Sequence, residues 1–249
     1  MSMRKRGFTL IELMVAMSVG MIVLLAAVGM LQSAGDGYGR NTDGISAERE
    51  ARAVLTQAGE DLSKAVRKRL LVESQDVGGW KADRLGFLCL QPADAQSENE
   101  RLGDLCAVVY YLHDLPMGGQ SVRCLMRGFR GSAETFEAVG GGRVSSLYQP
   151  KSSDEPVAFG VVAFEVEPLV RGAGGKFEKW QAPTDPEAEV TEWPSSLRMS
   201  LVVARKELTG KLRVAADWQT HPLLGLPVDA AKSRQLEIYE ALQPFGHED

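Results

Sequence analysis

The stretch GFTLIELMVA at residues 7–16 decides how this chain must be read, because it opens an apolar run that carries a carboxylate near its start. Residues 8–31 form a run of 24 in which Glu12 is the only charged side chain. At 1.5 Å per residue a helix of that length covers about 36 Å, more than the roughly 30 Å hydrocarbon core of a bilayer. A membrane-spanning helix is therefore predicted. Arg4, Lys5 and Arg6 stand just before it, so the positive-inside tendency keeps residues 1–7 in the cytoplasm and sends everything after Leu31 across the membrane. A secretory signal peptide has a shorter apolar core, and its small-residue cleavage site follows that core. Here the small residue, Gly7, comes first.

An acidic side chain at mid-membrane costs roughly 2.5–3.5 kcal/mol on insertion scales, less near the interface, so Glu12 needs a partner. Cleavage between Gly7 and Phe8 would create one. The new α-amine is a cation with an ordinary pKa of about 7.7–8.0, and Glu12 lies about one helical turn away from it. Within one helix that amine points back toward the cytoplasm. A neighbouring copy displaced along the axis would bring its own amine beside this carboxylate, and such a buried pair sets register between parallel helices.

These residues resemble the class III leader and N-methylation motif of type IV pilins and type II secretion pseudopilins. The match comprises the basic RKR, Gly7 before the cut, Phe8 after it, Thr-Leu-Ile-Glu-Leu in order, and the long apolar run. The resemblance implies cleavage after Gly7 by a membrane prepilin peptidase and methyltransferase, methylation of the Phe8 amine, and use of Glu12 to recruit the subunit into a helical filament. It also implies an inner-membrane assembly platform and other minor and major pseudopilins or pilins as partners. The competing reading of the same residues is a plain signal anchor with a chance glutamate.

The remainder is long enough for one ordinary core. The formal charge is -5; without residues 1–7 the 28 basic residues become 25 against 33 acidic ones, giving -8. That balance argues against nucleic acid as a partner, since such affinity rests on many Lys and Arg contacts to phosphate. After the span, Gly35, Gly37, Gly39 and Gly44 crowd a polar stretch and predict a flexible segment over 32–47. A helical pattern resumes over 48–73, where Ala51, Leu55, Ala58, Leu62, Ala65 and Val66 form one apolar stripe. Glu48 with Arg52 and Glu60 with Lys64 are favourable i,i+4 pairs, and Arg67, Lys68 and Arg69 suit a helix C-terminus.

From Leu85 the pattern changes to short runs of strand character: LGFLCLQ, LCAVVYYLH, SVRCLMRGF, VAFGVVAFEVEPLV, LRMSLVVARKEL and KLRVAADW. The expected fold is α+β: a long N-terminal helix, first transmembrane and then amphipathic, packed on an antiparallel sheet in a β-rich periplasmic domain over 74–249. Cys89, Cys106 and Cys124 contain no CxxC pair. If LGFLCLQ and LCAVVYYLH form a hairpin about the middle of their loop, Cys89 and Cys106 fall opposite each other. The alternatives are one bridge, in an oxidising periplasm, and three buried free thiols.

The order of EDLSKAV, AVVYYL, CLMRGF, VAFGVVAFEVEPLV and WPSSLRMSLVVA resembles the larger minor pseudopilin J of type II secretion and the related minor pilin W. The resemblance implies a minor subunit at or near a filament tip that helps prime assembly and contacts the secreted substrate. The glycine-rich stretch after the span and the tail from His221 have no counterpart in it. Other chemistry finds no support. His113, His221 and His247 are scattered over expected loops and termini, and there is no HExxH or GxSxG motif, so no enzyme, metal or cofactor is expected. GAGGK at 172–176 lacks phosphate-loop spacing and reads as a turn; the acidic run 185–192 lacks EF-hand spacing and reads as a solvated loop. Three readings of function compete: a minor pseudopilin of type II secretion, a minor pilin of a type IV pilus, and an uncut, membrane-anchored periplasmic binding protein.

Overall fold

The computed structural model describes residues 10–91, 101–181, 192–233 and 235–245. Two units are distinguished, Met1–Ser46 and Ala47–Asp249, and the boundary falls inside the segment expected to be flexible. Helix α1 (Leu10–Ser63) contributes to both and is helical through its glycines. Its end corrects the expected helix over 48–73. Residues after Ser63 form strand β1 (Ala65–Glu73), which pairs antiparallel with β4 (Arg84–Leu90). The reason is tertiary: Leu70 is buried opposite Phe87, and the register slips between Ala65 and Leu70, so that Arg67, Lys68 and Arg69 fall in a bulge at a sheet edge. Charged bulges are well suited to edges. Lys64, beyond the helix, bonds Gln91 through Nζ at 3.4 Å rather than extending a helical pair with Glu60, whereas Arg52 and Glu48 pair at 2.6 Å as expected.

The small hairpin β2 (Asp76–Val77) and β3 (Trp80–Lys81) precedes β4. Then follow β5 (Leu105–Met117), β6 (Gln120–Arg130), helix α2 (Ser132–Gly140), a 3-10 turn at Val144–Tyr148, β7 (Glu155–Phe159), β8 (Val161–Arg171) and β9 (Phe177–Lys179). Strand β10 (Ser196–Ala204), short helices α3 (Lys206–Thr209) and α4 (Asp217–Thr220), two 3-10 turns and β11 (Leu236–Pro244) complete the chain. Besides the β2–β3 hairpin, the strands make two larger antiparallel sheets where one was expected: a five-stranded sheet in the order β1-β4-β5-β6-β7 and a four-stranded sheet in the order β11-β10-β8-β9. The run VAFGVVAFEVEPLV supplies one strand to each, because Gly160, at φ +69°, turns the chain between them.

The two sheets and α1 share one core. Ala51, Val54, Leu55, Ala58 and Leu62 of α1 pack with Phe87, Val108, Tyr110 and Leu125 of the first sheet and Phe164, Val166, Leu197, Met199 and Leu201 of the second. The outer faces are covered too. Ala138, Val144, Leu147 and Tyr148 lie over the first sheet, and Leu208, Leu212, Trp218, Leu224 and Ala230 over the second. Burial on both faces explains why AVVYY reads as a continuous apolar run instead of an alternating one. KLRVAADW is not a strand: the Asp217 carboxylate accepts the N–H groups of Arg213 at 2.7 Å and Val214 at 3.0 Å, a local closure that competes with a ladder. His113 lies within β5 and not in a loop, and GAGGK forms the turn between β8 and β9. The acidic run over 185–191 falls outside the described residues.

Two buried carboxylates tie the layers together. Asp83 accepts the Val166 N–H of the second sheet at 2.9 Å while its own N–H donates to Phe164 O at 2.9 Å; burial pushes its pKa up against these bonds. Asp154 accepts from Arg130, which is 1% exposed, at 2.5 Å and 3.0 Å, from the Tyr111 hydroxyl at 2.8 Å and from the Lys151 N–H at 2.9 Å. Burial alone would raise the Asp154 pKa, but Arg130 and the other donors outweigh it and hold it below the ordinary 3.8. A lowered carboxylate pKa adds stability that is present above the unfolded value and is lost as pH falls through the folded one. Asp154→Asn is therefore expected to lower the unfolding midpoint at neutral pH and to flatten its decline below about pH 4, as followed by circular dichroism. A variant whose acid limb parallels that of the parent would refute the assignment.

Candidate functional site

Apart from Glu12, the first described turns of α1 are apolar on every side. Leu10–Gln32 is a 23-residue stretch of mean hydropathy 2.5, none of it buried by the rest of the chain. Leu10 at its start is 77% exposed and Leu31 at its end 73%. Its length, about 35 Å at 1.5 Å per residue, suffices to cross a hydrocarbon core. A helix hydrophobic all round must be buried by something outside it. Lipid and other apolar helices are the surfaces that match. Glu12 sits in the first turn of this stretch with its side chain exposed, and Ser18 turns its hydroxyl inward to the Met14 carbonyl at 2.9 Å. Gly7, Phe8, Arg4, Lys5 and Arg6 lie outside the described residues.

At its other end α1 is locked into the domain. Asp61, 5% exposed, accepts the Tyr110 hydroxyl at 2.6 Å, Arg127 Nε and Nη2 at 2.8 and 3.0 Å, and Gln91 Nε2 at 3.3 Å. Burial first, then the Asp61 charge, pushes the Tyr110 pKa up. Eleven residues earlier, Glu50 accepts the Phe159 N–H of the edge strand β7 at 2.6 Å. Sequence reasoning did not single these residues out, although two signals were present. Asp61 stands at helical spacing from Val54 and Ala58 in the apolar stripe, and Arg127 and Arg130 follow the apolar run Cys124–Met126 in a strand whose residues are largely buried.

Cys89 and Cys106 are register partners in the β4–β5 pair, as the hairpin reading expects, and both are buried free thiols together with Cys124. Burial and the nearby Asp61 charge push Cys89 up to about 12, and burial with the Asp104 charge pushes Cys106 up to about 11. Neither is a nucleophile at neutral pH. Among the described residues no cluster of three or more His, Cys, Asp or Glu is arranged to hold a metal ion.

Comparison with known families bears on the N-terminus. Residues 2–28 match the family model of the prokaryotic N-terminal methylation motif. The chain thus opens with a prepilin-type methylation motif. That motif overlaps the exposed apolar stretch over residues 10–28. No curated protein matches the chain. Among solved structures it is similar to a type IV-like pilin of Thermus thermophilus, at 15% identity and a TM-score of 0.40, covering 78% of this chain and 93% of that one. The architecture is mixed α+β, an N-terminal apolar helix followed by antiparallel sheets.

Proposed function

We propose that the chain is a minor pilin-like subunit of a type II secretion pseudopilus, a structural filament component and not an enzyme. The observation that supports this reading is the coincidence of the methylation motif with a fully exposed apolar helix that bears a single carboxylate, Glu12, in its first described turn. In this reading prepilin peptidase cuts between Gly7 and Phe8, guided by Arg4, Lys5 and Arg6, and the Phe8 amine is methylated. The subunit waits in the bacterial inner membrane as a single-pass protein with its domain in the periplasm, and then enters the filament with its helix packed against those of sibling subunits. A minor pilin of a type IV pilus would use the same parts.

The intact mass and N-terminal peptide of the protein from its native host's membranes test the reading. A chain beginning at methylated Phe8 supports it, and the subunits that copurify decide between pseudopilus and pilus. A chain retaining residues 1–7 would favour the uncut periplasmic binding protein. Gly7→Ala is expected to slow processing, and Gly7→Leu to abolish it, in an immunoblot that separates precursor from mature chain. Normal processing of both variants would remove the cleavage claim.

A further inference from the structure

Strand β11 is an edge of the second sheet and has a free side. Its register with β10 pairs Ser196 with Pro244 and Ala204 with Leu236, and the flanking bonds run from Arg205 N–H to Gln235 O and from Phe245 N–H to Ser195 O. Odd-numbered residues of β11 therefore exchange bonds with β10, and the N–H and C=O groups of Ile238, Glu240 and Leu242 point away from the sheet. Among the described residues none bonds to them. The other edges are blunted: β1 by its basic bulge, β7 by its brevity and by Glu50 on the Phe159 N–H, and β9 by its length of three residues. At nine residues, β11 is the long open edge.

A groove of about 460 Å³ runs beside it, lined by Arg52, Leu55 and Thr56 of α1 and by Ile238, Tyr239 and Glu240 of β11 among others. An edge strand facing a helix across a groove is the arrangement that takes up an extended peptide as an added strand. On the outer sheet face Ile238 is 39% exposed and Leu242 49%, with the exposed Glu240 between them. The neighbouring charges are internally matched, Arg52 with Glu48 at 2.6 Å and Arg205 with Glu237 at 2.7 Å, which leaves the groove one negative charge at Glu240. A second copy of this chain is a poor occupant: antiparallel pairing about the centre of β11 places Glu240 against Glu240, a destabilising like-charge pair.

We propose that the β11 edge receives, by strand addition, an extended segment of a different pilin-like subunit of the same filament. At alternate positions that segment carries an apolar residue, a lysine or arginine, and a second apolar residue, meeting Ile238, Glu240 and Leu242 in turn. The intervening side chains enter the groove beside Leu55 and Thr56. This deepens the functional reading above and rests on it, since the occupant is a sibling subunit.

The test uses the full-length chain in its native host with the photocrosslinker p-benzoylphenylalanine at Ile238, and a control probe at Glu137 on α2. The expected adduct at position 238 is a peptide from another chain that carries its own prepilin-type motif, crosslinked within an alternating apolar stretch. Glu240→Lys is expected to cut its yield about fivefold, the factor that loss of ~1 kcal/mol carries, without moving the unfolding midpoint. An adduct no stronger than the control, one to lipid, to a secreted protein or to a second copy of this chain, or a yield unchanged by Glu240→Lys, overturns the proposal. The N-terminal peptide of the same sample separates two failures. A chain starting at methylated Phe8 without the adduct refutes the edge assignment alone, whereas a chain retaining residues 1–7 takes the functional reading down with it.

Discussion

Asp61→Ala is expected to destabilise the folded domain by about 3–5 kcal/mol, since removing one partner of a buried ion pair leaves the other charge uncompensated. The side chain left behind is Arg127, whose Nε and Nη2 both donate to Asp61, and the Tyr110 hydroxyl loses its acceptor as well. Against a total stability of about 5–15 kcal/mol the loss is large, and at roughly 2–4 °C per kcal/mol for a domain of this size it corresponds to a drop of roughly 6–20 °C in Tm. The measurement is thermal unfolding of the full chain in detergent. Asp61→Ala combined with Arg127→Met should recover much of the loss, because an apolar pair of similar volume replaces a buried ion pair at little cost. A single variant within about 1 kcal/mol of the parent would show that the pair does not hold α1 to the sheet.

Glu12→Val is expected to leave the protein in the membrane and to reduce its incorporation into filaments by about tenfold or more. Insertion becomes easier, because the substitution relieves a cost of up to roughly 2.5–3.5 kcal/mol. Assembly becomes harder, because the α-amine of a neighbouring Phe8 loses its counter-charge in a medium of low dielectric, where one pair readily exceeds the 1.4 kcal/mol that a tenfold change requires. Glu12→Gln keeps the length and a hydrogen-bonding end but not the charge, and should behave like Glu12→Val. Quantitative blotting of sheared filaments against total membranes reads both variants. Incorporation at the parental level in either would dissociate Glu12 from assembly.

The parts of the fold that follow from local chemistry were legible in the sequence. The apolar run through Leu31 needs no partner in the chain to be helical, and the strands that contain Phe87, Val108, Leu125, Val162 and Val202 carry β-branched and aromatic runs. The stripe of Ala51, Leu55, Ala58 and Leu62 is likewise a helix signal, and it is buried. At KLRVAADW the error is local, since the Asp217 carboxylate closes the segment on itself; elsewhere a local preference met a stronger distant partner. Residues 65–73 continue a helical pattern in sequence, yet they pair with β4 because burying Leu70 against Phe87 at a sheet edge satisfies both backbone and side chain. The tail carries alternation over Leu236–Pro244, but only β10 beside it makes that segment a strand.

The sequence by itself determined the N-terminal motif: basic residues, a glycine before an apolar run, and one carboxylate within that run, features that are near neighbours along the chain and so need no fold to be read. Tertiary structure decided everything that depends on residues far apart in the chain. It brought Asp61 to Arg127 and Asp154 to Arg130, divided the strands between two sheets at Gly160, and left β11 as an open edge beside α1. The physical reason is common to all of these. A buried charge or an unpaired strand edge is defined by what lies across from it, and the residue across from it is chosen by the packing of the whole domain.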